Sequence, residues 1–183
     1  GLSATLNEAI AWSKGLYLSC LASDDKIKFY KISSQVPLLE NNKCYAGVFG
    51  GIEILYKDGS VIKSSGESQT YDFENIFKHE FRLPAPTQLL RLSSVKKVGG
   101  FRQGFIIEDW MMWLDLTKNG DILYCDNAVV ASYRRHDGNL SGQLDRMLEG
   151  RLQILTEFRH SDFYKEAKAN LYMVQAFDTQ GVD

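Results

Sequence analysis

An apolar run that ends in two adjacent carboxylates is the feature that most constrains the fold of this chain. The run covers residues 16–22 and is followed by Asp24 and Asp25. Short apolar stretches of this length are typical of the buried strands of an α/β sheet, so we predict such a strand here. Because ligands of open α/β sheets bind beyond the carboxyl ends of the strands, we expect the two acids at a binding site.

A second acid pair, Glu108 and Asp109, opens a predicted helix far along the chain. Adjacent carboxylates such as Asp24 and Asp25 repel each other, and hard divalent cations such as Mg²⁺ and Mn²⁺ prefer oxygen ligands of this kind. A remote carboxylate can instead accept a proton. The two pairs together favour metal-assisted group transfer. Ordinary helix capping is the alternative for both pairs, because acids are common at helix N-termini.

Composition limits the class of protein. A chain of 183 residues with 44% hydrophobic residues fits one globular domain, and a net charge of −2 does not favour nucleic acid as a partner. The three cysteines form no Cys-x-x-Cys motif, so we expect no structural zinc and a reducing compartment. We predict neither a membrane span nor a signal peptide. A cytoplasmic location is therefore expected, with attachment to the inner membrane face through a partner left open.

The pattern of the chain alternates between helices and strands. Helices are predicted at residues 2–14, 27–40, 71–79 and 108–118, and strands at residues 16–22, 44–56, 61–63, 88–92 and 121–133. Asp58-Gly59 has the chemistry of a hairpin turn, and Pro37 is expected to strain the end of its helix. Residues 142–177 are amphipathic and helical in pattern. The mixture predicts an α/β sheet with some antiparallel strands.

Five segments, in this order, resemble the inverting glycosyltransferases of family 2. They are residues 7–10 with 14–18, residues 21–25 with the acid pair, residues 98–101 with Gly99-Gly100, residues 108–114 with Glu-Asp-Trp, and residues 133–136 with 139–141. The resemblance implies a GT-A-like mixed sheet flanked by helices. It divides the chain into a partial GT-A domain at residues 1–141 and a C-terminal helical extension at residues 142–183.

The opening section of that family has no counterpart in this sequence. We therefore expect an N-terminally truncated nucleotide-binding domain. A sheet that lacks neighbouring strands has an exposed edge, which favours association, so a homo-oligomer is one expected partner state.

The resemblance also assigns roles to the acids. It implies that Asp25 is the ligand of a divalent metal, Mn²⁺ or Mg²⁺, and that Asp24 contacts the donor ribose or reaches the metal through water. It makes Asp109 the base that deprotonates the acceptor, with Glu108 as the backup or as an acceptor-binding acid. An ordinary aspartate has a pKa of about 3.9, and the helix N-terminus should favour the anion of Asp109 further.

The remaining assignments concern the basic loop and the aromatic residues. Arg134 and Arg135 are expected to contact the diphosphate, and His136 to contact either phosphate or metal. We expect Trp110 to stack against an acceptor sugar. By helical spacing, Trp113 and Leu114 should face the core. His79 and His160 fit helical surface patterns and receive no role.

These assignments imply transfer of a sugar from a nucleotide-diphosphate sugar to a saccharide or glycolipid, with inversion. Gln143 to Met147 has Met where the processive synthases of the family carry Trp, which favours transfer of a single sugar. One alternative is a non-catalytic, truncated domain that binds saccharide or a partner protein. Another is a nucleotidyltransferase, but that class needs a phosphate-binding Gly-rich loop near the start, which this sequence does not show.

Overall fold

The computed structural model describes residues 1–180 of the chain. Within these residues it contains the following helices and strands, in chain order: α1 (Leu2–Trp12), β1 (Tyr17–Leu18), β2 (Lys26–Ile27), α2 (Lys31–Asn41), β3 (Tyr45–Leu55), β4 (Val61–Ser64), β5 (Gln69–Tyr71), α3 (Phe73–Phe77), β6 (Leu89–Arg91), α4 (Leu92–Lys97), α5 (Glu108–Thr117), β7 (Ile122–Arg134), α6 (Leu144–Glu157) and α7 (Tyr164–Gln180).

The strands form one mixed sheet with the order β1-β6-β3-β7-β2, in which β4 pairs with β3 and β5 pairs with β7. The two long central strands, β3 and β7, run parallel, and the other described pairs are antiparallel. This arrangement confirms the predicted mixed α/β sheet. It also brings the carboxyl ends of β3 and β7 side by side, since Leu55 pairs with Arg134.

The sheet has a core on each face because successive strand residues point to opposite sides. The larger core contains Phe49 of β3 and Trp113 of α5, whose rings meet edge to face with centroids 5.3 Å apart. Trp113 and Leu114 are buried there, as predicted. On the other face, α2 packs Leu39 against Val48 of β3.

The helices α6 and α7 pack on the same core as the sheet. Ile154 and Leu155 of α6 join the larger cluster, and so do Ala167 and Leu171 of α7. The predicted helical extension is therefore a pair of helices that completes this core, while the boundary after residue 141 stays a prediction. Residues 181–183 of the extension lie outside the described residues. In the part described, no helix has the length and apolar character needed to cross a bilayer.

The predicted buried strand at residues 16–22 is wrong in extent. Only Tyr17–Leu18 is a strand, and it is an outer strand of the sheet, paired antiparallel with β6. The chain leaves the sheet after Leu18, and the hydroxyl of Ser19 donates to the carbonyl oxygen of Gln88 at 3.0 Å. The predicted sheet edge is present as β1, and association through it stays a prediction.

The helix predicted at residues 27–40 begins later, at Lys31. Lys26 and Ile27 instead pair with Ser132 and Ala131 of β7 as the short strand β2. Tertiary pairing has overridden local helix propensity at these two residues. The consequence matters for the site, because β2 fixes the preceding residue, Asp25, beside the end of β7.

A contact between α1 and the end of α4 fixes the loop before α5. Gly99 and Gly100 end α4 with φ angles of 88° and 79°, which favour glycine. The side-chain amide of Asn7 donates to the carbonyl oxygen of Phe101 and accepts from its N–H, both at 2.8 Å. A Cβ atom on Gly100 would lie 2.4 Å from the amide oxygen of Asn7. The Gly-Gly pair is therefore required for this close approach.

A buried lysine joins α2 to the segment before β6. The ammonium group of Lys31 donates to Gln35 Oε1 at 2.8 Å and to the carbonyl oxygen of Gln88 at 2.9 Å, and the residue is fully buried. The side chain of Gln88 in turn accepts a long hydrogen bond of 3.4 Å from Trp113 Nε1. Gln88 therefore contacts three segments. It bonds to Ser19 before the acid pair, to Lys31 after it, and to Trp113 of helix α5.

Lys31 gives the stability of the protein a specific pH dependence. Burial lowers the pKa of Lys31 from 10.5 to about 8. Between these values the unfolded chain binds more protons than the folded chain, so the free energy of unfolding should rise with pH. Lys31 should contribute an increase of about 3 kcal/mol between pH 8 and pH 10.5. Urea unfolding at several pH values measures it.

The variant Lys31→Met should lose this increase, because methionine carries no titrating group. Lys43→Met is the matched control, since Lys43 is exposed and pairs only with Glu40 among the described ion pairs. An equal pH dependence in the Lys31 and Lys43 variants would show that Lys31 does not carry the effect.

Candidate active site

The first acid pair and the basic loop meet at the carboxyl end of β7. The backbone N–H of Arg134 donates to Asp25 Oδ1 at 2.9 Å, across 109 residues of sequence. The side chain of Arg134 contacts the other acid of the pair, since its Nε donates to the carbonyl oxygen of Asp24 at 3.2 Å. His136 Nε2 lies 2.8 Å from Asp24 Oδ2. Two of the predicted donor-site segments, the acid pair and the basic loop, are therefore one hydrogen-bonded cluster.

Asp25 is the more buried acid of the pair, with 8% of its surface exposed. Burial raises the pKa of its carboxyl group, and the hydrogen bond from the N–H of Arg134 acts in the opposite direction. The neighbouring charge of Asp24 raises this pKa as well. A carboxylate in these surroundings gains from a nearby positive charge.

Asp24 is more exposed and is oriented by His136. The hydrogen bond from His136 is the main reason why the pKa of Asp24 lies below its usual value. The N–H of Gly138 donates to Nδ1 of His136 at 3.1 Å, so Nδ1 is the acceptor and Nε2 carries the proton that it donates to Asp24. The N–H of His136 also bonds to Asn139 Oδ1 at 2.6 Å. The loop therefore holds the imidazole as a hydrogen-bond donor to Asp24.

The chemistry of these side chains fits a divalent cation only in part. Carboxylate oxygens and imidazole nitrogen are donors that Mn²⁺ accepts. Among residues 1–180, however, no three His, Cys, Asp or Glu side chains converge on one point. Mg²⁺ and similar cations commonly use one or two carboxylates and take their other ligands from phosphates and water. Asp25 and Asp24 match that pattern, whereas His136 is already bonded to Asp24.

An open cleft of about 570 Å³ adjoins this cluster. It is lined by Tyr56, Lys57, Asp58, Arg135, His136, Asp137 and Gly142. The guanidinium of Arg135 lies over the ring of Tyr56, 5.8 Å from its centroid, and Lys57 forms an ion pair with Asp137. Sequence analysis missed Tyr56 and Lys57, because only the parallel pairing of β3 with β7 brings them here. Their sole sequence signal is their position at the end of a long strand.

The second acid pair lies at the start of α5. Asp109 Oδ1 accepts the N–H of Trp110 at 2.7 Å. Burial raises the pKa of Asp109, which is opposite to the expected lowering by the helix N-terminus. Desolvation outweighs the backbone dipoles here. The pKa of Glu108 is also raised, first by burial and then by the charge of Asp109.

Glu108 also connects this pair to the first one. Burial raises the pKa of the Cys20 thiol, and the charge of Glu108 raises it further. Glu108 therefore lies near Cys20, which precedes Asp24 by four residues in the chain.

The expected role of Trp110 in acceptor binding is not compatible with its position. Trp110 has 4% of its surface exposed, and its Nε1 donates to the carbonyl oxygen of Ile76 at 3.0 Å. Its ring packs against Phe81 and His79, with centroids 5.8 and 4.8 Å away. No open ring face is left for a sugar. His79, expected at the surface, is half-buried and packs against Trp110, and this burial lowers its pKa to about 4.

We predict that Trp110→Phe destabilises the protein. Phenylalanine keeps an aromatic ring in the core but loses the hydrogen bond from Nε1 to the carbonyl oxygen of Ile76, which retains the N–H of His79 at 3.2 Å. The lost hydrogen bond and the smaller buried ring together cost about 1–3 kcal/mol of unfolding free energy. Urea unfolding measures it, with Tyr172→Phe as the control because Tyr172 is 51% exposed. An unchanged unfolding free energy for Trp110→Phe would contradict the core position.

Searches of known sequences find glycosyltransferases. A protein of Bacillus subtilis named as a teichuronic acid biosynthesis glycosyltransferase, TuaG, is 27% identical over 146 residues, which are 77% of this chain and 55% of TuaG. The uncharacterized glycosyltransferase MJ1057 of Methanocaldococcus jannaschii is 22% identical over 122 residues, which are 65% of this chain and 42% of MJ1057. No protein-family model matches. The chain spans about half the length of the curated relatives it matches.

Solved structures show the same fold. A crystal structure of S. aureus TarS, residues 1–349, superposes with a TM-score of 0.63 at 15% identity and covers 97% of this chain and 51% of that one. A complex of the same TarS fragment with UDP gives a TM-score of 0.62 at 14% identity, over 93% of this chain and 49% of that one. The chain therefore has the fold of part of the TarS glycosyltransferase, as the predicted GT-A-like fragment requires.

Proposed function

We propose that this chain carries part of a glycosyltransferase site, namely the residues that hold the metal, bind the diphosphate and deprotonate the acceptor. It would transfer a single sugar, with inversion, from a nucleotide-diphosphate sugar to a hydroxyl group of a saccharide or glycolipid. The cluster that joins Asp24 and Asp25 to Arg134 and His136 carries this proposal. Two carboxylates and a basic loop are joined there by hydrogen bonds, next to an open cleft, and a cation-bound diphosphate needs groups of both kinds. The UDP complex of TarS supports the same class of donor.

The basic residues account for diphosphate binding. Arg134 and Arg135 follow one another at the end of β7, and Lys57 and His136 line the adjoining cleft. A planar guanidinium can contact two phosphate oxygens at once. The ion pair between Lys57 and Asp137 is exposed, so a phosphate group can compete for Lys57 at little cost.

Asp25 and Asp24 would hold a divalent cation, Mn²⁺ or Mg²⁺, together with diphosphate oxygens. When bound, the cation supplies positive charge that stabilises the leaving diphosphate. His136 would orient Asp24 through the hydrogen bond that it donates. The alternative role of His136 as a direct metal ligand requires that its Nε2 give up this bond.

Asp109 would act as the base. The acceptor oxygen forms a bond to the anomeric carbon from the side opposite the diphosphate, while the bond from that carbon to the phosphate oxygen breaks. The electron pair leaves with the nucleoside diphosphate, and the proton of the hydroxyl group passes to Asp109. A raised pKa makes its carboxylate a stronger base than an ordinary aspartate, provided that it remains ionised at the working pH. Glu108 would then bind the acceptor or tune Asp109.

The biological context follows from the same proposal. We infer that the acceptor belongs to cell-envelope polysaccharide synthesis, and the name of TuaG, a teichuronic acid biosynthesis glycosyltransferase, supports this inference. Free thiols at Cys20, Cys44 and Cys125 favour a reducing compartment, so we retain a cytoplasmic location, with contact to the inner membrane face through a partner. Association through the outer strand β1 remains part of the proposal.

Thermal unfolding with nucleoside diphosphates tests the donor site. Mn²⁺ with UDP, GDP, CDP or dTDP should raise the melting temperature for one base. A ligand at 100 times its Kd adds about 2.7 kcal/mol, and each kcal/mol shifts a chain of this size by about 2–4 °C. The same series on a chain extended upstream is the comparison. A shift only in the extended chain would mean that the pocket needs the added residues, and no shift in either would overturn the proposal.

A transfer assay separates an enzyme from a binding module. Release of nucleoside diphosphate from a matching sugar nucleotide should increase when a saccharide acceptor is added. Binding without release, in both the short and the extended chain, would favour the non-catalytic alternative.

A further inference from the structure

Arg82 is a charged side chain whose two terminal nitrogens find no partner among residues 1–180. Its Nη1 and Nη2 are closed to solvent and make no hydrogen bond in that part of the chain. The backbone of Gly66 lies against the guanidinium, since a Cβ atom there would be 2.9 Å from Nε and 3.3 Å from Nη2. The charge also reaches Cys125, where it opposes the effect of burial, which raises the thiol pKa to about 11.

A guanidinium buried without hydrogen-bond partners lowers the free energy of unfolding. It carries five N–H donors and keeps its charge at all accessible pH values. An unpaired buried charge destabilises a fold strongly, and native proteins rarely keep a buried polar group without a reason such as a ligand. Arg82 differs in this respect from Arg91, whose guanidinium donates to the carbonyl oxygens of Tyr45 and Leu39.

The neighbouring carboxylates are already engaged. Asp126, next to Cys125 in β7, accepts from Ser68 Oγ at 3.1 Å and from the N–H of Ala128 at 3.2 Å. Glu80, two residues before Arg82, pairs with Lys78 at 3.5 Å and accepts from Asn170 at 3.2 Å. Neither of these carboxylates, nor Glu67 next to Gly66, bonds to the terminal nitrogens of Arg82 in the described part of the chain.

The surroundings allow an anion to enter. Residues 65–68 connect β4 to β5, are exposed and belong to no helix or strand, and they include Gly66. A segment of this kind opens at low cost in free energy. Cys125 belongs to the larger core, which also contains Trp110 of α5. The guanidinium therefore lies on the α5 side of the sheet. The Asp25–Arg134 cluster, which comprises Asp24, Asp25, Arg134 and His136, lies at the end of β7.

We propose that Arg82 is a binding site for an oxyanion, either a phosphate or a carboxylate group, and that residues 65–68 form its cover. The planar fork of the guanidinium matches both groups, because each presents two oxygens at a suitable spacing. The site goes beyond the proposed sugar transfer. It can be tested with simple anions, so its failure and the failure of the donor site are distinguishable.

The test measures the melting temperature in chloride buffer of fixed ionic strength, with and without inorganic phosphate or glucuronate. The wild-type chain should be stabilised by at least one anion, and the better one names the group. Arg82→Met should lose this response. Without anion it should melt about 2–4 °C higher than the wild type, because an unpaired buried charge has been replaced by an apolar side chain.

Three further variants keep the test decisive. Arg91→Met should melt lower than the wild type and keep the anion response, since its guanidinium is paired. Arg82→Lys keeps the positive charge but lacks the planar guanidinium, so its stabilisation by the anion should be weaker than that of the wild type. Lys57→Met removes a cation from the cleft beside the donor cluster and should keep the full response, which separates this site from the donor site. An anion response that persists in Arg82→Met, or is absent in the wild type, overturns the proposal.

Discussion

Asp109→Asn should lower the rate of sugar transfer by about 10²–10⁴-fold, the usual contribution of a positioned base. Asparagine keeps the oxygen that accepts the N–H of Trp110 but cannot take a proton from the acceptor. The variant should therefore fold normally and retain the nucleotide-dependent rise in melting temperature. Because burial raises the pKa of Asp109, wild-type transfer should fall as pH drops through that pKa. The measurement is a steady-state transfer assay over a range of pH.

Asp115→Asn is the matched control for Asp109→Asn. Asp115 lies in the same helix and is buried, and it pairs with Lys118 at 2.7 Å. Its replacement should reduce stability while leaving the transfer rate per folded molecule unchanged. Transfer at the wild-type rate in Asp109→Asn would remove Asp109 as the base and leave Glu108 as the candidate.

Asp25→Asn should abolish the metal-dependent part of nucleotide binding. The asparagine oxygen still accepts the N–H of Arg134, so the local fold is kept, but the negative charge that would attract the cation is gone. Asp25→Ala should differ, because it leaves that N–H without its acceptor and costs about 1–3 kcal/mol of stability. Thermal unfolding with nucleoside diphosphate, at increasing Mn²⁺ concentration, measures both effects.

Asp72→Asn is the control for this variant. Asp72 also accepts a backbone N–H, that of Asn75 at 3.0 Å, and caps α3 away from the Asp25–Arg134 cluster. It should keep the full response to Mn²⁺ and nucleotide. If Asp25→Asn kept the response too, the metal would have to be held by other residues or by the nucleotide alone.

The long elements were predictable because their patterns are strong. The predicted strands at 44–56 and 121–133 correspond to β3 and β7, and the predicted helix at 108–118 corresponds to α5. Each carries a continuous apolar pattern bounded by turn residues. The pairing of Val61–Ser64 with β3 likewise follows from the Asp-Gly turn between them.

The short elements were not predictable from local pattern. Strand β2 contains two exposed residues, and its strand state exists only because it pairs with β7. The same holds for the position of Trp110. Its helical spacing is visible in the sequence, but the fact that α3 and Phe81 cover its ring is a result of packing.

The residues of the site also divide into those that the sequence predicts and those that it does not. Asp24, Asp25, Arg134 and His136 were predicted from the family resemblance, and the structure brings them together. Lys31, Gln88 and Arg82 have no such signal. Nothing in the sequence distinguishes these buried polar side chains from surface ones, because their burial depends on segments that lie far away in the chain.

The contacts that build the site span 94 residues for Asn7 and Phe101, 109 for Asp25 and Arg134, and 112 for Asp24 and His136. Loops of this length close slowly, and parallel pairing such as that of β3 with β7 forms only after closure. We therefore expect the cluster of Asp24, Asp25, Arg134 and His136 to form late in folding, when the last strand of the sheet docks. During synthesis, Arg134 and His136 leave the ribosome long after Asp25, so the growing chain cannot form this cluster until β7 has been made.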